Sequence, residues 1–365
     1  MISLDDPKIL ANPDIKKVLD SIDNFSDQGI QILNASENLT LKQKDKIDNI
    51  IVAGMGGSGF PAEILKTAFS DKLVKPLEVV NNYKLPFYAG KNTLVIASSY
   101  SGNTGETIAC VESAMKSGAS VCGLTLGGKL AQMIALGKIK GLVFNPTFNP
   151  CGQPRLGTGY MLFGLIAILN KYNLLAVDRK MVINTLEELK KSRNYVFSKP
   201  TSQNQAKQMA IKIKDKFVIL VAADFLAGAI HGFSNQLNET AKTNSSFHII
   251  PEMDHHRLEG LANPREFADL AAAVFYNSLL YDDQLKKRFE LTEEVFSKNH
   301  LLVERYSPKG DEKLTQLIDT MIFNSYVSFY LALLYGVNPV KIPWVDFFKR
   351  KLLASPQGGT AHERT

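Results

Sequence analysis

Short apolar runs alternate along this chain with longer segments in which apolar residues recur at helical spacing. In the first half the apolar runs lie at 49–53, 77–80, 93–97 and 120–125. Runs of this length predict strands that are buried on both faces, and the intervening segments predict helices. Because strands and helices alternate, we expect an α/β fold with a parallel sheet and ligands at the carboxyl ends of its strands.

The same alternation returns in the second half of the chain. Its apolar runs lie at 217–222, 247–250, 273–276 and 301–304, of which the third also suits a helix. We therefore expect two α/β domains, each with its own sheet flanked by helices. The predicted division is an N-terminal domain with leading helices at 1–152, a helical connection at 153–200, a C-terminal domain at 201–353 and a flexible tail at 354–365.

Composition and charge limit the classes of protein. A hydrophobic content of 45% with 21% charged residues is typical of a soluble globular protein. The formal net charge of +6 is spread without a basic block, so we expect no nucleic-acid partner. No apolar run reaches about 18 residues without a polar interruption, and the first residues lack signal-peptide features, so we expect a cytoplasmic protein without a membrane span.

The three cysteines and six histidines show no spacing typical of metal ligands. An odd number of cysteines also argues against a secreted disulfide framework. We therefore expect no metal and no cofactor.

Hydroxyl side chains crowd the turn that follows the run at 93–97. They are Ser98, Ser99, Ser101 and Thr104. Gly102 and Gly105 allow a tight backbone path, and Asn103 with Glu106 has the spacing of a capping box, which predicts the start of a helix. A helix N-terminus presents unpaired N–H groups and a partial positive charge. This turn therefore predicts an anion site suited to phosphate.

A glycine run at 54–59 follows the first strand and fits the dinucleotide pattern G-x-G-x-x-G. That pattern also needs an acidic residue at the end of the second strand, where this chain has Asn81 and Asn82. No GK[ST] follows the glycines, so the run does not fit a P-loop. We favour instead a pocket in which Ser58 joins the hydroxyls of the later turn around a monophosphate.

The letters GMGGS at 54–58 and SYSGNTGET at 99–107 together resemble the sugar isomerase (SIS) domain family. The resemblance implies two flavodoxin-like domains that bind phosphosugars through serine and threonine side chains. It implies Ser58, Ser99, Ser101 and Thr104 as phosphate ligands, supported by Gly56 and Gly57.

Further motifs resemble the bifunctional phosphoglucose/phosphomannose isomerases over nearly the whole chain. They are PRLG at 154–157, NQLNETAK at 235–242, PEMDHH at 251–256 and DFFK at 346–349. The resemblance implies an aldose–ketose isomerase that interconverts glucose 6-phosphate, and also mannose 6-phosphate, with fructose 6-phosphate. It further implies a homodimer in which His255 reaches the partner's pocket.

This chemistry needs groups with different roles. A carboxylate must move a proton between two carbons, for which we expect Glu239, and a cation must hold the developing oxyanion, for which we expect Arg155. His255 fits the proton transfer that opens the sugar ring. The resemblance implies Lys349 as a further catalytic group.

Two departures from the family leave alternatives open. The family's Asn-His-Asn-Glu run is DHHR here at 254–257, so His256 is an alternative to His255, and Lys341 and Lys351 are alternatives to Lys349. The family's threonine before the C-terminal lysine is missing from 340–345, which weakens the expectation of mannose 6-phosphate activity. The other functions considered are a different SIS phosphosugar isomerase and a non-catalytic phosphosugar-binding protein.

Overall fold

The first half of the protein is built on a five-stranded parallel sheet, in a computed structural model that describes residues 3–41 and 46–354. The strands are β1 (Asn49–Ala53), β2 (Leu77–Val80), β3 (Thr93–Ser98), β4 (Ser120–Thr125) and β5 (Lys140–Val143). Their order is β2-β1-β3-β4-β5. Because the order reverses between β1 and β3, a crevice forms at the carboxyl ends of these two strands.

The second half contains a four-stranded parallel sheet. Its strands are β6 (Phe217–Ala223), β7 (Ser245–Ile250), β8 (Ala271–Tyr276) and β9 (Leu302–Tyr306). Their order, β7-β6-β8-β9, repeats that of the first four strands of the first sheet. The run at 273–276 is therefore a strand rather than a helix. The predicted α/β fold with two parallel sheets is confirmed, while the exact domain bounds stay a prediction.

Helices flank both sheets and connect them. Those before the second sheet are α1 (Pro13–Asp23), α2 (Phe25–Ala35), α3 (Phe60–Ala68), α4 (Gly105–Lys116), α5 (Gly128–Ala135), α6 (Thr158–Lys171) and α7 (Arg179–Ser192). Those of the second half are α8 (Gln205–Lys212), α9 (Ala227–Gln236), α10 (Phe267–Leu270), α11 (Asp283–Lys298), α12 (Lys313–Tyr335) and α13 (Pro343–Ala354). The predicted tail continues past α13, and its residues 355–365 lie outside the described part of the chain.

The two halves are packed together through α3 and α9. A Cβ atom added at Gly228 of α9 would lie 2.5 Å from the Cα of Ile64 in α3, so only glycine allows this close approach. Helix α12 runs through the core and contacts helices of both halves. Since α9 leads directly into the segment around Glu239, this packing brings that segment toward the first sheet.

Helix α12 also corrects one expectation from the sequence. By length and composition it could cross a membrane, so the expectation that no segment qualifies was too strong. However, 89% of its apolar stretch is buried inside the fold. The helix therefore packs as a core helix of this structure.

The capping box predicted at the start of α4 is wrong. The N-cap of α4 is Thr104, which makes no side-chain cap. The Oδ1 atom of Asn103 instead accepts the backbone N–H of Lys129 at 2.9 Å, in the first turn of α5. The apolar pattern did not predict α5, so this competing use of Asn103 could not be anticipated.

Candidate active site

The turns after β1 and β3 are tied together by the first predicted phosphate ligand. Strands β1 and β3 end level with each other, with Ala53 opposite Ala97. The hydroxyl oxygen of Ser58 accepts the backbone N–H of Tyr100 at 2.8 Å, and the hydroxyl of Ser98 donates to the carbonyl of Ser58 at 2.6 Å. Ser58 thus lies directly against the hydroxyl-rich turn.

The other predicted phosphate ligands gather at the start of α4. The hydroxyl oxygens of Ser99 and Thr104 are 3.0 Å apart, and Ser99 also accepts the backbone N–H of Gly102 at 3.0 Å. Ser99 is buried, Thr104 is half-buried and Ser101 is exposed. The structure therefore brings hydroxyls of graded exposure together at an uncapped helix N-terminus, which is a favourable place for an anion.

The glycine run lets the Arg155 segment approach this crevice. A Cβ atom added at Gly57 would lie 2.9 Å from the backbone nitrogen of Arg155 and 3.0 Å from the carbonyl carbon of Pro154. Gly56 has φ +47°, a left-handed conformation that favours glycine. The two supporting glycines thus permit both the turn itself and its contact with the short 3₁₀ helix Pro154–Leu156.

Arg155 is a buried cation with every N–H group engaged. Its side chain is 1% exposed, yet Nη1 lies 3.2 Å from Oε2 of Glu239. The remaining acceptors are Thr240 Oγ1 at 3.1 Å from Nε, Gln153 Oε1 at 2.9 Å from Nη1, and the carbonyls of Pro339 and Val340 at 2.7 and 2.9 Å from Nη2. Burial lowers the pKa of Arg155, and the neighbouring Glu239 opposes that effect. A guanidinium so held is a fixed positive charge.

Glu239 lies in the π-helix Leu237–Ala241, directly after α9. Its side chain is 30% exposed, so one end of the carboxylate contacts Arg155 while the group stays accessible. The segment 226–242, between the apolar runs at 217–222 and 247–250, has the pattern of a continuous helix. The wider π turn interrupts it at the expected base, and such turns are frequent at functional sites.

The two candidate histidines lie in the segment that follows β7. His255 ends the short 3₁₀ helix Glu252–His255 after β7 and is exposed. His256 is also exposed and places Nε2 3.0 Å from Oε1 of Glu252. Among the described residues, no hydrogen bond or ion pair connects either histidine with Arg155 or Glu239.

Lys349 lies on α13, a helix that the apolar pattern did not predict. Its side chain is exposed, and among the described contacts none joins it to Arg155 or Glu239. Trp344, Phe347 and Phe348 of the same helix are also exposed. The segment that leads into α13 is nevertheless close to the site, because the carbonyl of Val340 accepts a hydrogen bond from Arg155.

Sequence reasoning missed three groups that hold the site together. Gln153 and Thr240 each bond Arg155, and Lys242 bonds the backbone of Glu239 at 2.9 Å. The signal available was their place inside the motifs PRLG and NQLNETAK or next to them. Within residues 3–41 and 46–354, no group of three or more histidine, cysteine, aspartate or glutamate side chains could hold a metal ion.

Family models match both halves of the chain. The SIS domain matches residues 45–133, and the bacterial phospho-glucose isomerase C-terminal SIS domain matches residues 202–352. The chain is a tandem SIS-domain protein. The first match spans the glycine run and the hydroxyl-rich turn, and the second spans Glu239, both candidate histidines and most of α13.

Whole proteins similar to this SIS protein carry two different names. The bifunctional phosphoglucose/phosphomannose isomerase of Caldicellulosiruptor bescii is 28% identical over 343 residues, which are 92% of this chain and 98% of that protein. The D-glucosamine-6-phosphate 4-epimerase of Sulfolobus acidocaldarius is 31% identical over 215 residues, 58% of this chain and 63% of that protein.

A solved structure supports the fold of the SIS protein. A hypothetical protein from Thermus thermophilus superposes with a TM-score of 0.67 at 15% identity, covering 93% of this chain and 91% of that one. At this level of identity the likeness concerns the fold alone.

Proposed function

We propose that this protein is an isomerase that interconverts glucose 6-phosphate, and also mannose 6-phosphate, with fructose 6-phosphate through a cis-enediol. The observation that carries the proposal is the buried Arg155, which contacts the Glu239 carboxylate at 3.2 Å while its backbone packs against Gly57 of the glycine run. A proton-transfer pair and an anion site thus adjoin each other. The similarity to the C. bescii isomerase over 98% of that protein supports the same activity.

In this mechanism the phosphate binds at the N-terminus of α4. Ser58, Ser99, Ser101 and Thr104 supply hydroxyls there, and hydrogen bonds to a charged group contribute about 1.5–3 kcal/mol each. The phosphate fixes one end of the sugar, so the reacting carbons lie toward Arg155 and Glu239. Orienting the substrate in this way is itself a large contribution to the rate.

The chemical step is a proton transfer between carbons 1 and 2. The Glu239 carboxylate takes the proton from carbon 2 of the open-chain aldose, which leaves an enediol with negative charge on an oxygen. Arg155, a fixed cation, stabilises that charge. Glu239 then returns the proton to carbon 1, and the hydroxyl proton on oxygen 2 passes to oxygen 1, giving the ketose. An accessible carboxylate beside a buried cation is the arrangement this sequence of steps requires.

Ring opening is assigned to His255, supplied by a second copy of the chain. The exposure of His255, and the lack of a described contact with Glu239 in the same chain, support a homodimer in which the partner's His255 enters the pocket. The exposed aromatic residues of α13 offer apolar surface for such an association. We assign Lys349 of this helix to the sugar oxygens, with Lys341 and Lys351 as alternatives.

A complementation experiment tests the shared site. Subunits carrying Glu239→Gln and subunits carrying His255→Ala are each expected to be inactive alone. After mixing and refolding, a heterodimer regains one intact site, because Glu239 comes from one subunit and the histidine from the other. Equal, near-wild-type rates in His255→Ala and His256→Ala would remove the histidine from the mechanism.

The substrate places the protein in hexose phosphate metabolism. We propose a cytoplasmic enzyme that acts in glycolysis and gluconeogenesis, where these phosphates are interconverted. The family tends to carry a threonine a few residues before its C-terminal lysine, and residues 340–345 contain none. We therefore expect a lower rate with mannose 6-phosphate than with glucose 6-phosphate. Comparing kcat/KM for the two aldoses measures this difference.

A coupled assay tests the proposed function. Purified protein is given fructose 6-phosphate, and glucose 6-phosphate is detected with its dehydrogenase. We expect turnover by the wild type, its loss in Glu239→Gln, and wild-type rates in the control Glu187→Gln on the exposed face of α7. Full activity in Glu239→Gln would remove this base. Epimerisation of D-glucosamine 6-phosphate without isomerase turnover would favour the other SIS enzyme, and binding without turnover a non-catalytic protein.

A further inference from the structure

Lys242 has a backbone conformation that is unusual for its residue type. It follows the π-helix Leu237–Ala241 directly and has φ +57°. This left-handed region costs a residue with a Cβ atom about 1–2 kcal/mol, so glycine is the common choice at such a position. Contacts of the lysine side chain can offset this cost.

Those contacts join two segments of the site. The Nζ atom of Lys242 donates to the carbonyl of Glu239 at 2.9 Å, to the carbonyl of Thr240 at 3.2 Å and to the carbonyl of Asn338 at 2.8 Å. An ammonium group has three N–H donors, and all three are used here. The first two acceptors lie in the π turn, and the third lies in the segment that connects α12 with α13.

Arg155 contacts the same two segments, and in the π turn it bonds side chains rather than backbone. It bonds the side chains of Glu239 and Thr240 in the π turn, and the carbonyls of Pro339 and Val340 in the connecting segment. Lys242 thus fixes the backbone of the two residues whose side chains Arg155 fixes. Lys242 is an exposed residue, but partial loss of water around its ammonium group, and then the charge of Arg155, lower its pKa to about 8, so the ammonium form persists at neutral pH.

We propose that Lys242 is a positioning residue, whose ammonium group holds the Glu239 turn against Asn338 and thereby sets the separation between the Glu239 carboxylate and Arg155. The inference rests on the proposed function, because that separation matters for a proton transfer. Lys242 contacts none of the hydroxyls at the start of α4. Its loss should therefore lower kcat and leave the KM for fructose 6-phosphate nearly unchanged.

Three variants separate the side chain from the backbone. Lys242→Met keeps the aliphatic stem and removes the donors, while Lys242→Arg keeps a charged donor. Lys242→Gly relieves the backbone conformation and should not reduce stability through φ. We expect kcat to fall about tenfold in the methionine and glycine variants, with KM within about twofold, and the arginine variant to recover most of the rate. Wild-type kcat in either the methionine or the glycine variant would overturn the proposal.

Amide hydrogen exchange provides a readout that does not depend on turnover. If Lys242 holds the two segments together, Lys242→Met should speed exchange at residues 237–242 and 337–341 and leave β3 unchanged. Unchanged exchange in both segments would overturn the proposal even if activity fell. A wild-type protein without isomerase turnover would instead contradict the proposed function, and the exchange measurement would still decide the role of Lys242.

Discussion

Replacing Arg155 with lysine is the most informative single perturbation of the site. The guanidinium has five N–H donors, and five acceptors surround it in the structure: Glu239, Gln153, Thr240, Pro339 and Val340. A lysine ammonium has three donors and no planar fork, so at least two acceptors lose their partner.

The expected loss of stability follows from this count. Each buried polar group left without a partner costs about 1–3 kcal/mol, so two of them lower the free energy of unfolding by about 2–6 kcal/mol. The side chain of Arg155 is 1% exposed, and little water can replace the missing donors. We also expect kcat/KM to fall by about 10²-fold, because the positive charge that stabilises the oxyanion is no longer held in the same place.

Urea unfolding and the coupled isomerase assay measure the two effects. Arg305→Lys is the matched control, because Arg305 also pairs with a glutamate, Glu293, but its own side chain is 61% exposed. The control should change stability by less than about 1 kcal/mol and leave the rate unchanged. If Arg155→Lys unfolded at the same urea concentration as the wild type and kept its kcat, the assignment of Arg155 would be refuted.

Three further predictions concern other parts of the structure. Gly57→Ala places a Cβ 2.9 Å from the backbone nitrogen of Arg155, so the free energy of unfolding should fall by about 1–3 kcal/mol and kcat/KM should fall with it. In the control Gly90→Ala the new Cβ would meet nothing closer than 3.8 Å, so neither quantity should change. Equal effects of the two substitutions would contradict the contact. Thr104→Val should raise KM about tenfold, and an unchanged KM would remove this ligand. Burial lowers the pKa of His248 to about 4, so between pH 6.5 and 4 the unfolded chain binds one proton more than the folded chain. The free energy of unfolding should therefore fall as the pH falls through that window. In His248→Gln this pH dependence should be weaker, and an unchanged pH dependence would contradict the assignment.

Most of the strands could be anticipated because each contains a short run rich in apolar residues, whereas their order in the two sheets depends on tertiary pairing and was not predicted. Helix α5 could not, since it has only eight residues and begins at Gly128 after another glycine, where helical propensity is low. The prediction of a capping box at the start of α4 was wrong for a related reason. Asn103 can bond the start of either α4 or α5, and only the packing of the two turns decides between them.

The candidate site was predictable in its residue types and not in its arrangement. Glu239 and Arg155 were selected by their motifs, but they are 84 positions apart, and no local pattern shows that they meet. The π turn at Glu239 could not be predicted either, because the composition of this segment is that of an ordinary α-helix. Its backbone is held by Lys242 and by contacts to the segment after α12, which are tertiary effects.

Isomerisation in deuterium oxide tests the central claim most directly, that Glu239 moves a proton between two carbons of a hexose 6-phosphate. A carboxylate that holds the substrate proton can exchange it with solvent before returning it. Proton NMR of the glucose 6-phosphate made from fructose 6-phosphate should therefore show deuterium at carbon 2 with the wild type, and neither product nor label with Glu239→Gln. Glucose 6-phosphate that stays free of deuterium after prolonged reversible turnover, or unchanged formation by Glu239→Gln, would contradict the account.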